Sequence, residues 1–262
     1  MKTVMKTGNQ SVTAVTDPVC INFAGFVPLS TVDWRGRSVC VIFFRGCPVR
    51  CWYCQNPGIQ SGTDIKDCME ILSMIRSAEL LISGVVFSGG EATMQPDALR
   101  FLAEHVKRMG LVTGLHTNGV FPEVLADLIS KRLIDLVALD IKPDWNLNTV
   151  KGKERALGDE VKRSLALCSS GYREGSLPKF EVVLTLFPGS SEQVASVVPD
   201  VALDVDLVLQ QGEYTGIRAL QFEDLTAIAD ELHRPVRIRT REQGEIWYEG
   251  NRNCRNAGIR EG

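Results

Sequence analysis

The residues best suited to chemistry lie in the stretch GCPVRCWYC, where Cys47, Cys51 and Cys54 are separated by three and then two residues. Three thiolates on so short a loop can converge on one centre, yet they leave it a ligand short of four. Structural zinc and electron-transfer clusters ordinarily complete their coordination with a fourth protein ligand. A 4Fe-4S cluster held by three cysteines instead keeps one iron open, as a metal that must bind a substrate requires. Phe43, Phe44 and Gly46 precede the loop, and Trp52 and Tyr53 sit between its ligands, so these residues are expected to shield the centre from solvent. The competing readings are a chance grouping, or a zinc site completed by Cys40 or Cys68.

Further polar groups follow short apolar runs. Ser88-Gly89-Gly90-Glu91 comes directly after Gly84-Val85-Val86-Phe87. Adjacent glycines permit close approach to the backbone, and Glu91 offers an acceptor for an ammonium group. The plainer reading is a strand-to-helix turn with an acidic helix start. His116-Thr117-Asn118-Gly119 ends the next run, where Asn-Gly serves equally as a turn. In LVALDIK, Asp140 and Lys142 share one face at the end of an otherwise apolar strand. They suit pairing with each other or with a zwitterion.

Elements that could position these groups alternate along the chain. Strands are predicted over 38–44, 84–87, 111–115, 135–141, 180–186, 205–209 and, more weakly, 236–238. The run SVCVIFF is continuous in β-branched and aromatic residues, as a parallel strand covered on both faces should be. Helices are predicted over 65–80, 98–109, 122–131, 155–168, 190–197 and 219–232, where apolar residues recur at spacings of three and four. Such alternation implies an α/β fold with a parallel sheet, either open and wound or closed into a complete or partial TIM-like barrel. A barrel carries its chemistry at the C-terminal ends of its strands, where the polar motifs fall.

Composition narrows the class of protein. Of 262 residues, 44% are hydrophobic and 23% charged, the balance of a globular chain, and the net charge of -3 gives no overall reason to expect nucleic acid or a membrane surface as partner. No apolar stretch approaches the roughly 20 residues that cross a bilayer, and the first residues lack the apolar segment of a secretory signal. A cytoplasmic location is therefore expected, where eight cysteines read as metal ligands or buried small residues before disulfides. Cys40, Cys68 and Cys168 read as core. Cys20 and Cys254 lie in terminal regions, where redox activity is an alternative. The expected organisation is a flexible leader over 1–20, one domain over 21–240, and an exposed tail over 241–262 able to dock a partner.

CPVRCWYC resembles the CxxxCxΦC signature of the radical S-adenosylmethionine (SAM) superfamily, with Tyr53 at the aromatic position. The resemblance implies a radical SAM barrel with one 4Fe-4S cluster on Cys47, Cys51 and Cys54. It also implies SAM chelated at the open iron, and reductive cleavage to methionine and a hydrogen-abstracting 5'-deoxyadenosyl radical. Within the superfamily the chain is most similar to the glycyl-radical-enzyme activases, from about Ser30 to Lys142, through STVDWRG, FFRGCPVRCWYCQNPG, SGGEATMQP, HTNG and LDIK. By that similarity Gly89, Gly90 and Glu91 would bind the methionine end, and Thr117, Asn118, Asp140 and Lys142 would complete the ligand pocket. Asp33 matches a conspicuous feature ahead of the first strand, and no catalytic residue is expected beyond cluster and SAM.

The implied partner is a glycyl radical enzyme that gives up a glycine Cα hydrogen. VRIRT followed by REQGE resembles the end of archaeal-type activating proteins of anaerobic ribonucleoside-triphosphate reductase; a solvated edge strand is the other reading. A cluster potential of roughly -400 mV or below would call for flavodoxin or ferredoxin as donor, and an open iron implies oxygen sensitivity. Alternatives are a pyruvate formate-lyase-type activase, a radical SAM enzyme acting on a small molecule or peptide, and a non-enzymatic iron-sulfur or zinc module. The similarity lapses at Gln55, where many activases have His, at His116, where the pyruvate formate-lyase type has Asp, and near Phe180, where no Arg is evident. The resemblance therefore does not carry over a monovalent-cation site using that carboxylate, nor the contacts of that Arg.

Overall fold

A computed structural model describes residues 18–142 and 157–250. Among these residues ten strands form one sheet. Its parallel part comprises β2 (Val39–Phe44), β4 (Gly84–Gly89), β5 (Val112–Thr117), β6 (Leu136–Ile141), β7 (Lys179–Leu186), β8 (Asp206–Gln211) and β9 (Val236–Thr240), adjacent in that order. Antiparallel strands flank it: β1 (Cys20–Ser30) pairs with β2 and with β3 (Ile65–Asp67), and β10 (Gly244–Tyr248) pairs with β9. The helices α1 (Cys68–Ala78), α2 (Pro96–Arg108), α3 (Pro122–Ser130), α4 (Leu157–Arg173), α5 (Ser191–Val197) and α6 (Phe222–Glu231) fall between the strands.

The seven parallel strands are the seven predicted runs, and the three antiparallel ones are additions. Helix α1 begins at Cys68 rather than at position 65. The Asp67 carboxylate caps it by accepting from the Met69 amide at 2.8 Å, while residues 65–67 pair with β1. Where an exposed tail is expected from Arg241, the chain turns back as β10, so β9 is an inner strand and its solvated-edge reading is corrected. Positions 1–17 of the expected leader, residues 155–156 of a predicted helix, Cys254 and the remainder of the expected tail lie outside the described residues.

Strand alternation sorts the side chains into two environments. Ile42, Phe44, Phe87, Leu115, Leu139 and Leu209 belong to one continuous core shared with the helices, which holds Cys40, Cys68 and Cys168 as expected. Residues one step along face the other way into small separate clusters, Val39, Val41, Val86 and Leu136 around Trp34, and Ala138, Val183 and Val208. Trp34, in the loop between β1 and β2, packs so closely on Gly114 that a Cβ there would lie 3.0 Å from the indole. The sheet bends around this second face, because one cavity is lined from the cysteine loop after β2 as far as Arg239 on β9. Its order runs from β10 to β3 without closing, so the fold is a partial barrel. Arg35, beside Trp34, reaches Glu245 on β10 at 3.3 Å and so crosses the open side.

Candidate active site

The cavity has a volume of about 480 Å³ and sits at the C-terminal ends of the parallel strands. Cys47, Cys51, Cys54, Gly89, Gly90, Glu91, Thr117, Asn118, Asp140 and Lys142 all line it. Topology alone explains the gathering. Every parallel strand delivers its last residues to the same end of the barrel.

The cysteine loop is fixed at both ends by backbone hydrogen bonds. Gly46 N and Cys47 N donate to the carbonyls of Ile59 and Gln60 at 2.8 and 3.2 Å. Gln95 Nε2 donates to the Arg45 carbonyl at 2.9 Å, and the Gln95 amide oxygen accepts from Asn22 N at 2.7 Å, tying β1 to the base of the loop. The far side leans on the loops after β7 and β8. Trp52 meets Phe187 and Tyr214 with ring centroids 4.7 and 5.1 Å apart, and Gln55 Nε2 donates to the Glu213 carbonyl at 2.8 Å. The shielding expected of both aromatics is divided: Tyr53 is buried, whereas Trp52 stands 44% exposed at the rim.

Gly89 and Gly90 bring two backbone segments into close contact. Gly89 has φ +118°, and a Cβ on it would lie 2.4 Å from the Phe44 carbonyl oxygen; a Cβ on Gly90 would lie 2.1 Å from that of Gly46 and 3.3 Å from the Cys47 Cβ. The end of β4 is thus pressed against the backbone that carries Cys47, and only glycines fit. Gly90 N and Glu91 N donate to the Phe44 and Gly46 carbonyls at 2.9 and 2.8 Å, which locks the two segments together.

Glu91 is buried, and its carboxylate accepts four hydrogen bonds. Thr93 N and Oγ1 donate at 3.1 and 2.5 Å, Thr117 Oγ1 at 2.7 Å and Asn118 N at 2.8 Å. It therefore braces the end of β4 against the end of β5. Burial pushes its pKa above the ordinary carboxylate value despite these donors. Asn118, oriented by that brace, directs Nδ2 to the Cys47 sulfur at 3.7 Å. Hydrogen bonds to ligand sulfurs are one means by which a protein tunes a cluster's potential.

Lys142 donates to Asp140 Oδ2 and stands 5.7 Å from the Tyr53 ring centroid. Burial draws the Lys142 pKa down, but the adjacent Asp140 outweighs it and holds the ammonium charged. Asp140 Oδ1 is buried without a hydrogen-bond partner among the described residues, an acceptor left for whatever enters the cavity. Burial pushes the Cys47 thiol up to about 12, with the Glu91 carboxylate adding to the effect, and also raises Cys51.

These features bear on what the cavity can hold. Among the described residues no group of three His, Cys, Asp or Glu side chains is placed to hold a single metal ion. Three soft sulfur donors on one cavity wall, a sulfur-directed N–H and an unpartnered buried carboxylate oxygen fit a cluster and a polar ligand beside it.

Other cavity residues were not singled out from sequence: Thr185, Gln210, Gln211 and Arg239. Strand periodicity places all but Gln211 on the inner face, but polar residues on isolated strands carry no mark of a shared site. His116, the departure from the pyruvate formate-lyase type, lies in the cavity lining and donates Nε2 to the Asp33 carbonyl at 3.0 Å.

Similarity to known proteins agrees with this geometry. A candidate glycyl-radical enzyme activating enzyme of Methanocaldococcus jannaschii is 35% identical over 54% of this chain and 59% of its own length. The pyruvate formate-lyase-activating enzyme of Clostridium pasteurianum is 33% identical over 51% of this chain and 59% of its length, and its Escherichia coli K12 counterpart is 33% identical over 45% and 50%. The chain thus spans between half and three-fifths of these curated relatives. Among solved structures, TYW1 with a lysine-pyruvate adduct bound aligns with a TM-score of 0.58 at 15% identity, covering 82% of this chain and 80% of that one. Streptococcus suis SuiB bound to precursor peptide SuiA aligns at 0.56 and 19% identity, covering 74% and 44%. Both likenesses concern the fold. Residues 41–192, more than half of the chain, match the profile of the Radical SAM superfamily and contain the cysteine loop, both glycines, Glu91 and the Asp140–Lys142 pair, so the chain belongs to that superfamily.

Proposed function

We propose that the chain is a cytoplasmic activase that installs a glycyl radical on a partner enzyme, most directly anaerobic ribonucleoside-triphosphate reductase, with flavodoxin or ferredoxin as electron donor. The observation that carries the reading is the convergence of three cysteines and the Gly89–Glu91 and Asp140–Lys142 groups on one cavity, in a chain whose relatives include one named as a candidate glycyl-radical enzyme activating enzyme and another named as a pyruvate formate-lyase-activating enzyme. Among the described residues no helix is long and apolar enough to cross a membrane.

Cys47, Cys51 and Cys54 would hold the 4Fe-4S cluster. The Gly89–Glu91 turn, Asp140 and Lys142 would hold SAM, with Thr117 and Asn118 bracing the turn. When bound, cluster and SAM supply a one-electron cleavage of the sulfonium that yields a hydrogen-abstracting adenosyl radical. The chain's own residues bind, orient and enclose: Asn118 fixes the Cys47 sulfur, Lys142 balances Asp140, and Tyr53 fills space beside the loop.

Pyruvate formate-lyase is the second reading, supported by the two activating enzymes at 33% identity. Anaerobic mixing of the reduced, reconstituted protein with SAM and each candidate partner tests both. A stable glycine-centred EPR doublet on the ribonucleotide reductase supports the first assignment, and a doublet only on the lyase moves it to the second. SAM cleavage without a doublet on either points to another substrate.

A further inference from the structure

Thr185, Gln210, Arg239 and Glu245 stand in one row across the sheet, each the register partner of the next on β7, β8, β9 and β10. Register partners project from the same face, and here every adjacent pair is hydrogen-bonded. Arg239 Nε and Nη2 donate to Glu245 Oε2 at 2.9 and 2.6 Å. Arg239 Nη1 donates to Gln210 Oε1 at 3.0 Å, and Gln210 Nε2 donates to Thr185 Oγ1 at 3.4 Å. Thr185, Gln210 and Arg239 line the cavity from the strands farthest in the parallel sheet from the cysteine-bearing end of β2.

The chemistry of the groups fixes the direction of the row. A carboxylate ion can only accept and a guanidinium can only donate. Whatever atom of Gln210 faces Arg239 must therefore be its carbonyl oxygen, which turns the amide nitrogen toward Thr185. The Thr185 oxygen accepts that N–H, so its own proton is left to donate elsewhere. The wall accordingly presents a hydroxyl proton and the second amide N–H of Gln210, and both are free to donate to acceptors on a ligand.

A glycine offers no side chain to recognise, so an enzyme that selects one must grip the main chain around it. Main-chain carbonyl oxygens are the acceptors such a segment carries at every residue. We infer that Thr185 and Gln210 bind main-chain carbonyls beside the reacting glycine, and that Arg239, anchored by Glu245, is the positioning residue that sets the Gln210 amide. The assignment rests on the activase reading above. An acceptor atom of SAM has the same chemistry, and the experiment separates the two sources.

The probe is acetyl-triglycine N-methylamide carrying two deuteria on its central Cα. Titration of the reconstituted, SAM-bound, unreduced protein, followed by tryptophan fluorescence, gives the peptide Kd, and a parallel titration gives that of SAM. Gln210→Glu keeps the partner of Arg239 but replaces the donor with an acceptor. Arg239→Lys keeps the charge but gives up the planar fork whose separate nitrogens serve Glu245 and Gln210; thermal unfolding confirms that both variants fold. The peptide Kd should rise at least roughly tenfold more than the SAM Kd in Gln210→Glu, with a smaller rise of the same kind in Arg239→Lys. A wild type that does not bind the peptide, an unchanged peptide Kd in Gln210→Glu, or an equal shift in the SAM Kd overturns the inference. Reduction then reports on the function itself: deuterium reaching 5'-deoxyadenosine supports it, and a wild type that binds the peptide yet transfers none overturns the activase reading alone.

Discussion

The carboxylate of Glu91 accepts four hydrogen bonds from Thr93, Thr117 and Asn118 and so ties the end of β4 to the end of β5. Glu91→Gln would set an amide donor against one of those donors. The expected loss is about 1–3 kcal/mol in urea unfolding, with weaker iron retention because Asn118 no longer steadies Cys47. Gly90→Ala meets the Gly46 carbonyl at 2.1 Å and should cost about 1–3 kcal/mol by overpacking, read in the same titration together with iron content after reconstitution. At this scale the cysteines were legible because three ligands on one loop are a local pattern. The Asn118 contact to sulfur and the Gln95 bridge join residues 71 and 73 positions apart, and no local pattern announces them.

Most of the parallel strands were legible as elements because β2, β4, β6 and β7 are apolar runs covered on both faces, whereas β9, with two arginines in five residues, gave the weakest signal. The flanking strands were not. β1 is exposed along its second half, β3 has only three residues, and β10 mixes Glu245 and Trp247 into a Gly- and Glu-rich stretch. What makes β10 a strand is long-range chemistry. Glu245 meets Arg237 and Arg239 on β9, and Arg237 in turn meets Glu181 on β7. Burial raises the Glu245 pKa and the two guanidiniums outweigh it, leaving the carboxylate below its ordinary value. A depressed carboxylate stabilises the fold above its unfolded pKa of about 4.3, and that contribution fades as pH falls through the folded value. Glu245→Gln should therefore lower stability by about 2–3 kcal/mol at pH 7, and the gap to wild type should narrow below about pH 4. Denaturant titrations at both pH values check the sign.

For the whole molecule, one sheet brings every site residue to one mouth, and ligands that bind the folded chain should stabilise it as a unit. SAM at a hundred times its Kd should add about 2.7 kcal/mol to the reconstituted protein, seen as a concentration-dependent rise in Tm. The same logic separates cluster from scaffold. Anaerobic iron and sulfide reconstitution, followed by reduction with dithionite in the presence of SAM, measures whether Cys47, Cys51 and Cys54 are the ligands. The expected result is about four irons per chain, as in a single 4Fe-4S cluster, and release of methionine with 5'-deoxyadenosine, both lost in Cys47→Ala. Cleavage of SAM by Cys47→Ala at the wild-type rate would contradict it.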